Sequence, residues 1–176
     1  MGSGEMIEDA RLRSIFERWA EFRGDRPMPL RSEASVKDFP AWTHKHLVEV
    51  EVLRDGAAPR FRYASSSDGL WQGADLGSTG FLDDECDPLG YRAHLGALFR
   101  ELLEMRRPIY SETLCTFERV GEPMLTRRLA LPLADLAGDV SAIITAHVFG
   151  FSAAHKDFAF AEVPGLKQGV WMVLDG

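Results

Sequence analysis

Apolar positions recur with two different periods along this chain, and the switches between them mark out the elements. From about Asp9 to Phe22, Leu12, Ile15, Phe16 and Trp19 repeat at helical spacing, with Arg11, Arg13, Glu17, Arg18 and Glu21 between them. That pattern predicts an amphipathic helix with one apolar stripe. Asp9 is suited to cap it, because its carboxylate can accept an orphan amide of the first turn, and Gly24, Pro27 and Pro29 stop it. Arg23 to Pro40 reads as a linker with short turns. Over Leu47–Leu53 the period drops to two: Val48, Val50 and Val52 alternate with Glu49 and Glu51, as in a half-exposed strand. Asp55-Gly56 supplies turn chemistry, and Phe61 and Tyr63 share one face of a second strand over Arg60–Ser65.

Ser66 to Asp84 is rich in Gly, Ser and Asp but carries Leu70, Trp71, Leu76, Phe81 and Leu82. So many large apolar groups predict short helical turns and loops, not a disordered linker. Pro88 sits near the start of a long helix reaching about Arg106, whose apolar face is Tyr91, Leu95, Leu98, Phe99, Leu102 and Met105. Three strands follow, over Ile109–Phe117, Met124–Leu133 and Val140–Phe149, separated by Gly121-Glu122-Pro123 and by an Asp135–Asp139 turn containing Gly138. Helix, two strands, short helices, long helix and three strands suit an α+β fold: a five-stranded antiparallel sheet with helices covering one face, plus the N-terminal helix. A pocket is expected where helical lid and concave sheet meet.

Length and composition narrow the classes. The 176 residues fit one domain able to bury a core without metal or disulfide staples. Twenty basic against 27 acidic side chains give a net charge of −7, which argues against a nucleic-acid or anionic-membrane surface. Cys86 and Cys115 match no metal or redox spacing and read as reduced thiols, and no apolar run has the length of a membrane span. A cytoplasmic protein is expected. Residues 1–8 read as a tail or expression scar, 9–149 as the domain, and 150–176 as a C-terminal extension. Within that extension Trp171, Met172, Val173 and Leu174 suit either an added strand or a segment that occupies a partner's groove.

Several segments have a family likeness. Trp19-Ala20-Glu21-Phe22-Arg23-Gly24-Asp25-Arg26-Pro27-Met28-Pro29, Asp38-Phe39-Pro40-Ala41-Trp42, Arg60-Phe61-Arg62-Tyr63, Gly73-Ala74-Asp75-Leu76 and Arg128-Leu129-Ala130-Leu131-Pro132-Leu133 with Gly138 punctuate the chain. Together with the element order, they resemble a PAS-domain family of alphaproteobacterial stand-alone PAS proteins. The resemblance covers roughly residues 9–149 and implies a PAS-like fold acting as a sensory or signalling module. Such a module binds a small ligand or a protein partner and has no output domain of its own.

The candidate ligand cavity is lined by Phe61 and Tyr63 on one strand, Trp71 in the covering segment, Tyr91, Leu95 and Phe99 on the long helix, and Tyr110 and Cys115 on the next strand. The same large apolar groups also suit a closed core. Leu12, Ile15, Phe16 and Trp19 form a candidate homodimer interface. Partners expected are a small molecule or a signalling protein, with no nucleic acid and no membrane.

No cofactor and no metal are expected. Haem held through His94 is an alternative implied by PAS proteins that use a helix histidine, since imidazole suits iron in a dry pocket. His44 and His46 read as polar residues at a strand entry. Arg127-Arg128, with Arg106-Arg107, could bind an anionic signal such as a nucleotide, since arginine's planar fork suits phosphate. Alternation points Arg127 and Arg128 to opposite sheet faces, so at most one serves a given pocket, and both read as exposed strand charge. The alternative function is a small cone-shaped enzyme, isomerase- or dehydratase-like, on an apolar substrate. An isolated histidine or carboxylate in a polar cavity floor favours that alternative, and an apolar interior favours the sensor.

Overall fold

The computed structural model describes residues 7–66, 80–82, 89–116, 123–151 and 166–174. Helix α1 spans Ala10–Arg23, and the Asp9 carboxylate accepts the backbone N–H groups of Arg11 at 2.9 Å and Leu12 at 3.4 Å. Gly24 ends it at φ 57°, a left-handed conformation that glycine adopts without a Cβ penalty. Two short 3-10 turns, Val36–Asp38 and Ala41–His46, lead into β1 (Leu47–Leu53). Then come β2 (Arg60–Ser66), α2 (Leu89–Met105), β3 (Ile109–Thr116), β4 (Pro123–Ala134), β5 (Val140–Phe151) and β6 (Leu166–Val173).

All strands join one antiparallel sheet in the order β2-β1-β5-β4-β3-β6. The two hairpin regions predicted on either side of α2 are therefore zipped together by β1 and β5, with Val50 opposite Ile143. The sheet has six strands, not five. Residues beyond 150 supply the sixth, which pairs along β3 with Val173 opposite Ile109 and continues to a buried Leu174. Of the two readings of Trp171–Leu174, the added strand is the one the fold adopts, so part of the predicted extension belongs to the domain.

Period-two alternation assigns each strand residue to a face. His94 on α2 meets Thr113 on β3, so α2 lies on the face carrying Ser111, Thr113, Thr126 and Arg128. Tyr110 and Arg127 point the other way, and there they feel the charges of Glu8 and Asp9 at the start of α1. The helices therefore cover both faces of the sheet, α2 on one and the N-terminal helix α1 on the other. The physical reason lies in β4 and β5. Leu129, Leu131 and Leu133 on one side and Ala130 on the other are all buried, as are both sides of Ala142–Val148. Strands apolar on both faces need two covers.

Leu12, Ile15, Phe16 and Trp19 are the buried stripe of α1, from 0% to 7% exposed within a single chain. The indole N–H of Trp19 donates to the Pro132 carbonyl at 2.9 Å. The stripe predicted to join two subunits is thus spent on the chain's own sheet. Among the described residues, no helix is long and apolar enough to cross a membrane.

Candidate functional site

Strand register aligns three polar side chains in a row beneath α2. Ser111 on β3 faces Arg128 on β4, and Arg128 faces His147 on β5. The next row holds Thr113, Thr126 and Phe149, and the row on the other side holds Ile109, Ala130, Thr145 and Val48. From above, His94 Nε2 lies 3.2 Å from Thr113 Oγ1. Every polar member of this set is buried, Arg128 and Ser111 fully so. Interiors take polar groups only where hydrogen bonds or charge compensate the lost water, so this concentration calls for a reason.

Part of the reason is a directed hydrogen-bond chain. Arginine only donates, so Arg128 Nη2 donates to His147 Nδ1 at 3.3 Å and fixes that nitrogen as the acceptor. The His147 proton therefore sits on Nε2 and is donated to Thr145 Oγ1 at 2.9 Å. Thr145 in turn donates to the Val48 carbonyl at 3.3 Å. Burial first, then the positive charge of Arg128, holds His147 well below the ordinary imidazole range. The same two causes push His94 down to about 4. Both imidazoles are neutral at neutral pH, and Arg128 is the fixed charge of the row. Ser111 Oγ and Thr126 Oγ1, by contrast, are buried with no hydrogen-bond partner among the described residues.

The other half of the same face is apolar. Val50 and Val52 on β1 and Phe61 on β2 are buried, and the Phe61 ring meets Phe99 of α2 at a centroid distance of 5.1 Å and 57°. A donor-rich end and an aromatic end thus lie on one face of the sheet.

Among the predicted lining residues, Phe61, Leu95 and Phe99 are buried in this layer, and Tyr63 packs partly buried against the same core. Tyr110 does not belong to it. Its strand position turns it to the α1 side, where its hydroxyl donates to Glu112 Oε1 at 2.8 Å and Arg127 Nε donates to the same oxygen at 2.9 Å. Burial and then Glu112 raise that phenol well above its ordinary range. Trp71 and the side chains of Tyr91 and Cys115 lie outside the described residues.

Arg128, expected as exposed strand charge, is 0% exposed, whereas Arg127 is the partly exposed one, on the opposite face. His44 Nε2 lies 2.9 Å from the Phe39 carbonyl, and His46 has its basicity lowered by burial and then by Arg11 and Lys45. No group of three metal-ligating side chains occurs among the described residues. His94 does not fit an iron ligand as it stands, because Nε2 is directed at the Thr113 hydroxyl.

The buried polar set that sequence reading did not single out is Ser111, Thr113, Thr126, Thr145 and His147, and Arg128, weighed there as an anion contact and read as exposed, joins it. A signal for it exists: Ser111-x-Thr113, Thr126-x-Arg128 and Thr145-x-His147 each place polar residues two apart in an otherwise apolar strand. Three such pairs on adjacent strands stripe one face with hydrogen-bonding groups. No protein-family model matches the chain, and no curated protein matches it significantly.

Proposed function

We propose that the protein is a PAS-like sensory module that binds a small molecule between α2 and the sheet. The single observation carrying this reading is the pair of fully buried hydroxyls, Ser111 Oγ and Thr126 Oγ1, that face α2 and hold no hydrogen bond to any described residue. A bound molecule completes them. The order β2-β1-β5-β4-β3, with a helix crossing between the two hairpins, supports the PAS-like part of the reading. Signalling then follows by population shift, since a ligand favouring one position of α2 over the sheet changes the surface that α2 presents. Native mass spectrometry of freshly purified protein tests this. A mass excess that disappears on denaturation is the expected result, and an apo mass throughout, with no stabilisation by any compound of a metabolite library, overturns it.

One observation favours the second reading, a small enzyme: the floor of the layer is polar and holds two neutral imidazoles. Against it, a base held near 4, as His94 is, draws a proton weakly at neutral pH. The acidic strand residues Glu49, Glu51 and Glu112 lie on the sheet's other face. A bound compound recovered chemically unchanged after prolonged incubation rejects the enzyme and leaves the sensor.

A further inference from the structure

We infer that the outer edge of β6 pairs with the same edge of a second copy of this chain, antiparallel about a two-fold axis at Trp171, so that the two six-stranded sheets run on as one. This edge is distinct from the layer beneath α2, and its test needs no ligand.

Register shows which backbone groups are on offer. The Leu174 N–H donates to the Pro108 carbonyl at 2.8 Å, while Val173 stands opposite Ile109. Antiparallel bonding alternates along a strand, so Met172, Val170 and Gln168 also turn their N–H and carbonyl groups to β3. Val173, Trp171 and Gly169 turn theirs outward, where no described residue pairs with them. The ladder shifts only at Leu114/Cys115, so Gln168–Val173 is regular. A regular row of outward backbone groups is a template for another strand.

The two edges of the sheet differ in their protection. On β2, the Tyr63 N–H donates to the Gly80 carbonyl at 2.7 Å, and Arg62 forms a β-bridge with Phe81. The Arg60 guanidinium also lies 3.8 Å from the centre of the Phe81 ring. β6 lacks the devices that usually blunt an edge: its eight residues hold no proline and a single charge, Lys167, near the start. Met172 on the same strand is left 38% exposed.

Symmetry makes a second copy the fitting occupant. With the axis at Trp171, Gly169 faces the partner's Val173, Trp171 faces its own counterpart, and Val173 faces the partner's Gly169. Every outward N–H of the regular stretch then meets an outward carbonyl. Lys167 falls outside that span, so no like charges stand opposite one another. Met172 comes opposite the partner's Val170, apolar against apolar. The pairing uses the β6 edge of both copies and leaves only the covered β2 edges, so assembly closes at two.

Sedimentation equilibrium of the full chain over a range of concentrations tests this, together with amide exchange read residue by residue. The mass is expected to rise from one chain to two. Exchange at Gly169, Trp171 and Val173 is expected to slow as the pair forms, while Val170 and Met172 stay protected throughout. Gly169→Pro removes an outward N–H without touching a bond to β3, and is expected to weaken pairing about tenfold or more. Gly169→Ala keeps that N–H and is expected to leave pairing intact. If Gly169→Pro fails to fold, the alternating exchange pattern of the parent decides the matter. A one-chain mass at every concentration overturns the inference, as does an association that a folded Gly169→Pro leaves unchanged. Protection of the three outward amides in the monomer overturns it too, because the chain then covers its own edge, and so does growth beyond two copies.

Discussion

Arg128 and His147 stand directly opposite one another on β4 and β5, with Nη2 3.3 Å from Nδ1, and this contact sets the tautomer of the imidazole. Everything downstream of it is directional: His147 donates to Thr145, and Thr145 donates to the Val48 carbonyl of β1. The chain thereby ties three strands together through side chains, inside a layer where water does not compete.

Thr145→Val breaks this chain at its middle. The valine is near in volume but leaves the His147 Nε2–H buried without an acceptor, a loss of about 1–3 kcal/mol. Urea denaturation should show a lower midpoint with an unchanged slope. A stability equal to the parent's means that the relay contributes nothing.

Acid should weaken the fold in a defined window. Burial and then Arg128 push His94 down to about 4 from the ordinary imidazole value of about 6.5, and His147 is lowered in the same direction. Between those values the unfolded chain binds protons that the folded one does not, so stability is complete above about 6.5 and falls as pH drops. The slope is at most about 1.4 kcal/mol per pH unit for each histidine. The carboxylates Asp9 and Glu51, held below the ordinary carboxylate range by Arg11 and by Arg31 with Arg62, add their own losses only at lower pH, as the unfolded carboxylates protonate. Thermal unfolding from pH 7 to pH 5 should show the decline, and His94→Gln should flatten it. A level profile across that range contradicts the placement of both imidazoles.

Trp19→Phe removes the indole N–H that reaches the Pro132 carbonyl. A cost of about 1–3 kcal/mol is expected, from the unpaired carbonyl and the lost ring volume together. Sedimentation equilibrium separates core from interface: the mass of the particle should not change. A fall in mass on substitution restores the stripe as a contact between subunits.

Deleting residues 166–176 strips β6 from β3 and leaves a row of unpaired backbone groups along Ile109–Cys115. An uncovered edge strand pairs with other chains. Concentration-dependent association on size exclusion is the expected outcome, with faster amide exchange along β3. A truncated chain that stays monodisperse and equally protected shows that β6 is dispensable to the edge.

The helix over Ala10–Arg23 was legible from its stripe, and so were the Asp9 cap and the Gly24 stop, because each depends on residues within a turn of one another. The β1–β2 hairpin was legible for the same reason: valine alternation and Asp55-Gly56 turn chemistry are local. Phe61 and Phe99 were picked as neighbours from their apolar faces, and their rings do meet. Arg128 was not legible as a buried residue. A lone arginine in a strand has the same local appearance whether it points to solvent or into a covered layer, and only the helix lying above it decides. Tyr110 was misassigned for a related reason: its aromatic character says that it is buried, but not on which side of the sheet.

Periodicity and turn chemistry in the amino-acid order were enough to define segments, their ends and which side chains of a segment share a face, because those properties are written in neighbouring residues. Which face each helix covers came only with the assembled sheet. The α1 stripe closes the Leu129–Leu133 side, α2 closes the Ser111–Arg128 side, and β6 guards the β3 edge. Burial depends on partners distant in the chain, and so the polar row beneath α2 exists only once β3, β4 and β5 are in register.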